Sequence, residues 1–231
     1  EEVQYVLQKN HFNNNISLKK SEIVKKYINQ IDSQKIIFTE NEINSFSIKP
    51  LINSSDEINI AFMLFNYFKE RSINLLEHQK SVIDLVESEE DLSGSEIVYK
   101  NREDLDRFKS YSQIKTYQQN LALSELISVY LKENDLDKAK EKIIKRLDNR
   151  KKSLSRISLD EIFSLYTNSY TNFYDPHTVY MTPTTQEDWE INLKASLEGI
   201  GAILSSEECI TKINRLKPVS YKHLRAHETD Y

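Results

Sequence analysis

Glycine, proline and cysteine are scarce in this chain: 231 residues contain three Gly, four Pro and one Cys. A sheet-rich fold needs more turn punctuation than that, so the shortage points to a mainly α protein. The lone Cys209 excludes an internal disulfide and leaves the redox compartment open. No apolar run approaches the roughly 20 residues of a membrane-spanning helix. Positive charge is not in excess either, with 31 Lys and Arg against 36 Asp and Glu, interleaved along the chain. A net charge of −5 carries no electrostatic footprint for nucleic acid. The first residue is Glu1 rather than Met, which leads us to expect a fragment or a processed form. What the chain does have is aromatic bulk, thirteen Tyr and nine Phe, enough to build a core.

Helical periodicity dominates. Leu18, Ile23, Val24, Tyr27, Ile28 and Ile31 predict a helix over 17–31, and Thr39 to Ile43 reads as another helical start. Ser54 and Glu57 form a capping-box pattern ahead of the strongest apolar stripe, which runs to about residue 88. Ser88 to Ser95, with Gly94, predicts a break. Leu105, Phe108, Tyr111 and Ile114 lead into Leu121 to Tyr130, predicting one helix or two. Asn134-Asp135 opens a further helix, with Lys145, Arg146 and Arg150 expected in its last turn, where cations are favoured. Ser158 and Glu161 form a second capping box, and Asp175-Pro176 ends the helix it opens. The period then changes: Ala202 to Leu204, a turn over Ser205 to Glu208, and Cys209 to Ile213 predict a β-hairpin.

No catalytic constellation stands out. There is no G-x-S-x-G elbow, and Ser17-Leu18-Lys19-Lys20 sits at a helix start, where capping accounts for the serine. Glu87, Glu89, Glu90 and Asp91 form a charge run that reads as a solvated helix end. His223 and His227 share a helical spacing, but zinc needs three or four ligands and a second shell, so no metal site and no cofactor are expected. His11 and His78 are isolated. In Asp175-Pro176-His177-Thr178 the proline disfavours helix at Asp175, and the Asp and Thr side chains suit a turn. The alternative, His177 as a general base, lacks a nucleophile or an orienting acid beside it. Glu198-Gly199-Ile200-Gly201-Ala202 is a Gly-apolar-Gly turn feeding a strand, a form in which backbone N–H groups can converge on a carboxylate. On its own it reads more readily as a tight turn before a strand.

Taken together, Phe163 through Ile213, with Asp175-Pro176-His177-Thr178, Tyr180, Pro183, Glu187-Asp188-Trp189 and Ser196 to Leu204, resemble the tail-specific (carboxy-terminal processing) proteases. The earlier chain, from His11-Phe12 through Tyr27 to Asp32 and on to Phe38, resembles the same family more loosely. The resemblance implies a multi-helix N-terminal domain over 1–190 and the start of a β-containing PDZ domain over 191–218. It also implies an exported, periplasmic serine endopeptidase that recognises protein substrates by apolar C-terminal residues and works with a Ser–Lys dyad. That dyad is expected beyond the PDZ domain and outside this chain, which would leave the fragment itself inactive. Gly199, Ile200, Gly201 and Ala202 match the substrate-binding, carboxylate-holding loop of the PDZ domain. Ala202 to Leu204 match the strand to which a substrate tail adds. An adaptor protein on the helical domain is a further implied partner. A freestanding helical interaction module without peptidase activity is the rival reading, and a nucleic-acid-binding helical protein is a distant third.

After Leu216 the pattern of the family is lost. Val219 to Thr229 closely resemble one reading-frame translation of a common transposase-type sequencing adapter, with Lys222 the evident departure. Residues 219–231 are therefore expected to be a non-native tail, with coding sequence ending near Lys217 or Pro218.

Overall fold

A long apolar stripe with no glycine or proline to interrupt it should give a long rod, and it does. The computed structural model describes residues 20–48, 57–93, 97–194, 202–207 and 210–216. Helices α1 (Lys20–Ile31) and α2 (Glu40–Ile48) precede α3 (Glu57–Asp84), which has 28 residues and is about 42 Å long. Ser54, the expected cap of α3, lies outside the described residues. After Asp84 a 3₁₀ turn (Glu89–Leu92) marks the expected break; Asp91 accepts from the N–H groups of Glu87 (2.8 Å) and Ser88 (2.9 Å). The acidic run there is exposed and serves as a cap.

Helices α4 (Tyr111–Glu133), α5 (Leu136–Arg156) and α6 (Leu159–Tyr174) complete the helical unit. Two expectations are corrected here. Leu105 and Phe108 belong to a non-helical segment, because Ser110 caps α4 in a reciprocal box with Gln113 and sets its start at Tyr111. Lys145, Arg146 and Arg150 are not the last turn of α5, which runs on to Arg156 and has only that residue as a terminal base. The extension follows from Lys151 to Arg156, which contain neither Gly nor Pro to stop the helix. Asn134, left-handed at φ 53°, closes α4, and the Asp135 side chain accepts from Lys138 N–H at 3.0 Å to open α5. The Ser158–Glu161 box opens α6 as expected.

The helical unit holds two cores. One gathers Tyr27, Ile28, Phe38, Leu64, Ile114 and Tyr166 from α1, the α1–α2 link, α3, α4 and α6. The other gathers Ile83, Leu126, Val129, Ala139, Ile143 and Leu147 from the far end of α3 and from α4 and α5. Tyr27 and Tyr166 meet edge to face at 5.3 Å, and the Tyr27 hydroxyl donates to the Ala61 carbonyl at 3.2 Å. Burial, with a smaller contribution from Tyr166, pushes the Tyr27 phenol up from its ordinary value.

The chain divides into two compact units, residues 1–180 and 181–231. The second contains helix α7 (Pro183–Lys194), with proline at its first position, and a hairpin of β1 (Ala202–Glu207) and β2 (Ile210–Leu216). The strands are antiparallel, Ala202 facing Leu216 and Glu207 facing Ile210, with a bulge between Ile203 and Leu204. Ser205 and Ser206, expected in the turn, pair instead with Lys212 and Thr211, so each strand is longer than the apolar residues alone suggested. Helix prevails over strand among the described residues, and the fold is mainly α.

Candidate functional site

The Asp175–Thr178 segment forms a hydrogen-bonded turn of the backbone. Asp175 Oδ1 accepts from His177 N–H at 3.0 Å, and Asp175 Oδ2 accepts from the Thr178 hydroxyl at 2.8 Å. Having ended α6, the chain then turns back along it. Asn168 clamps it at two points, donating to the Tyr180 carbonyl at 3.1 Å and accepting from Tyr180 N–H at 2.7 Å. The Thr171 hydroxyl donates to the Thr178 carbonyl at 3.2 Å, and Phe163 meets the Tyr180 ring edge to face at 5.5 Å. His177 itself is exposed.

Of the four residues expected to bind substrate, Gly199, Ile200 and Gly201 lie outside the described residues, and Ala202 is the first residue of β1. Among the described residues β1 pairs with β2 and with no other strand, which leaves one edge of β1 open. His11, His223 and His227 lie outside the described residues. Among those described, no group of three His, Cys, Asp or Glu could hold a metal ion, and no helix is long and apolar enough to cross a membrane.

Two polar clusters of the helical unit escaped sequence reasoning. Asp32, at 3% exposure, ends α1 and accepts from the N–H groups of Ile36 (2.9 Å), Ile37 (3.3 Å) and Phe38 (3.1 Å). Arg107, 75 residues later, donates to the same carboxylate at 2.5 Å and to Asn29 Oδ1 at 2.8 Å. This ties the α1–α2 link to the irregular segment before α4. The second cluster is built on Glu42, the reciprocal cap of α2, which accepts from Thr39 N–H at 2.8 Å and from the Thr39 hydroxyl at 2.7 Å. Arg71 on α3 forms an ion pair with the same carboxylate while its guanidinium lies 4.1 Å from the Tyr111 ring centre. Partial burial pushes the Glu42 carboxyl up, but the hydrogen bonds from Arg71 and Thr39 prevail and hold it below its ordinary value. Both clusters satisfy their own members, so they read as ties between elements.

The seam between the two cores is different. A cleft of about 790 Å³ opens there between the α1–α2 link and helices α3, α4 and α5. Gln79 on α3 donates to Gln118 Oε1 on α4 at 2.7 Å, and Gln118 reaches the Ile36 carbonyl at 3.4 Å. The sequence marked this region through apolar helix residues such as Ile31 and Leu121 and through the basic run of α5, which supplies Arg146 and Arg150 to the cleft wall.

A family model described as the tail specific protease N-terminal domain matches residues 3–184. The tail-specific protease of Haemophilus influenzae is 25% identical to this chain over 201 residues, which is 85% of the chain and 28% of that protein. The chain thus spans 28% of the length of this curated relative. The match covers the whole described helical unit and ends just inside α7. On that match, the chain belongs to the tail-specific protease family and carries its N-terminal domain.

Proposed function

We propose that this chain is the substrate-presenting, N-terminal part of an exported, periplasmic serine endopeptidase that processes proteins recognised by their apolar C-terminal residues. The observation that carries the reading is the family match over residues 3–184, with a hairpin that follows α7 in sequence. In this reading Gly199, Ile200 and Gly201 aim backbone N–H groups at the substrate α-carboxylate. The open edge of β1, from Ala202 to Leu204, takes the last substrate residues as an added strand. A main-chain ladder with alternate side chains facing apolar ground selects apolar tails without demanding one sequence. The Ser–Lys dyad belongs to a part of the protein outside this chain. There a buried lysine of lowered pKa takes the serine proton and so activates the nucleophile. The domain over 1–190 holds the recognition module and offers its outer helix faces to an adaptor.

The test uses the complete gene product and the present chain side by side. A protein substrate ending in apolar residues should be cleaved by the former and left intact by the latter. Loss of cleavage after substitution of the downstream serine or lysine, with chelators without effect, supports the dyad. Cleavage by the 231-residue chain alone would sink the reading. A gene product without a peptidase domain would favour the freestanding interaction module.

A further inference from the structure

We infer that the cleft between the two cores is a second docking site for a polypeptide C-terminus, separate from the hairpin edge. Three observations meet there. Its floor is apolar, built from Ile37, Phe68, Leu75 and Leu121 among others, and its volume of about 790 Å³ suits a few residues of extended peptide. Two polar side chains more than nine-tenths buried line it with an atom unpartnered: Ser72, 6% exposed, through its hydroxyl, and Gln79, 3% exposed, through Oε1. A buried polar atom left without a partner costs stability, and a small rotation of either side chain into the cleft lets a ligand supply the missing partner. Gln79 Oε1 needs a donor and the Ser72 hydroxyl can give to an acceptor, the pair of groups that each peptide unit carries.

The third observation is charge. The chain is acidic at −5, yet α5 has nine Lys and Arg against three Asp and Glu, a surplus of six. Four of these nine bases are in ion pairs, Lys138 with Asp135, Lys142 with Glu133, Arg150 with Glu125 and Lys151 with Glu77, and Lys140 donates to the Val86 carbonyl. Arg146 lines the cleft, is exposed, and has no ion pair among the described residues. A guanidinium at the mouth of an apolar cleft with hydrogen-bonding walls is complementary to an apolar peptide that ends in a carboxylate. The occupant is therefore a free C-terminal tail. Its last side chains rest on the floor, its main chain meets Ser72 and Gln79, and its α-carboxylate meets Arg146. This rests on the tail-recognition reading above and adds a capture point on the helical domain.

The experiment titrates the intact 231-residue chain with a fluorescent peptide ending Val-Ala-Leu-Val, as the free acid and as the C-terminal amide. The free acid should bind at least about tenfold more tightly than the amide, and R146E should remove that difference. S72A should weaken binding several-fold without lowering the thermal midpoint, because deleting an unpartnered hydroxyl takes nothing from the fold. G201V, which disables the hairpin loop, should leave cleft binding in place. Equal affinity for acid and amide, unchanged binding by R146E and S72A, or no binding to the intact chain would each overturn the cleft. Binding lost with G201V but kept in R146E and S72A would also overturn it, while leaving tail recognition at the hairpin standing.

Discussion

At the scale of single residues, the pair of Asp32 and Arg107 is the most exacting feature of the helical unit. Their side chains are 1% and 8% exposed, and the carboxylate also holds three backbone N–H groups. Removing one partner of such a pair strands the other charge in a poorly solvated place, which typically costs about 3–5 kcal/mol. Asp32→Ala should lose stability on that scale in urea unfolding; a loss below about 1 kcal/mol would mean that water reaches Arg107. Asp32 stood inside a segment that resembled the family, but its partner lies 75 residues away. A single sequence has no local mark for such a pairing. By contrast, the turn made by Asp175 and Thr178 was legible, because its hydrogen bonds span two and three residues and follow from the Asp-Pro step. Ser72 and Gln79 carried no distinguishing signal, and Arg146 only that of a basic run, since the packing of α3 against α5 is what brings them to one cleft.

At the scale of elements, caps decided where helices begin. The Ser158–Glu161 box is complete: the serine hydroxyl accepts from Glu161 N–H at 3.2 Å, and Glu161 accepts from Ser158 N–H at 2.6 Å. The bonds from Ser158 hold the Glu161 carboxyl below its ordinary value. Ser158→Ala should cost about 1 kcal/mol. Ser155→Ala, at an exposed site in the last turn of α5, should leave the thermal midpoint unchanged; equal losses from both would remove the cap as the cause. The Ser110–Gln113 box obeys the same rule and was passed over, because the spacing of Leu105, Phe108 and Tyr111 imitates a helical stripe. Arg102 explains the imitation. It lies 4.0 Å from the Phe108 ring centre, so these apolar residues pack around an irregular segment and not along a helix. In the hairpin, two apolar stretches around a polar turn were readable from Ile203, Leu204, Ile210 and Ile213, whereas the bulge between Ile203 and Leu204 depends on pairing across strands.

At the scale of the whole molecule, acid should loosen the helical unit through Glu42, which joins the start of α2 to α3 and, through Arg71, to Tyr111 at the start of α4. Its folded pKa lies below the ordinary 4.5, so the unfolded chain binds this proton more readily. The stabilisation is complete above pH 4.5 and is lost as pH falls through the lower folded value. Glu42→Gln should therefore cost about 1 kcal/mol near neutral pH, a modest figure because the side chain keeps 27% exposure. The gap from the parent should close on acidification; a gap that persists at low pH would mean that shape, not charge, matters at this position.

The single rod of α3 has a mechanical consequence. It contributes Leu64 and Leu75 to one core and Ile83 to the other, so its middle amides can exchange with solvent only when both clusters have let go. Two hydrophobic centres that might have melted as separate foldons are thereby coupled in series, and the cleft between them inherits the stiffness of the beam that forms its wall.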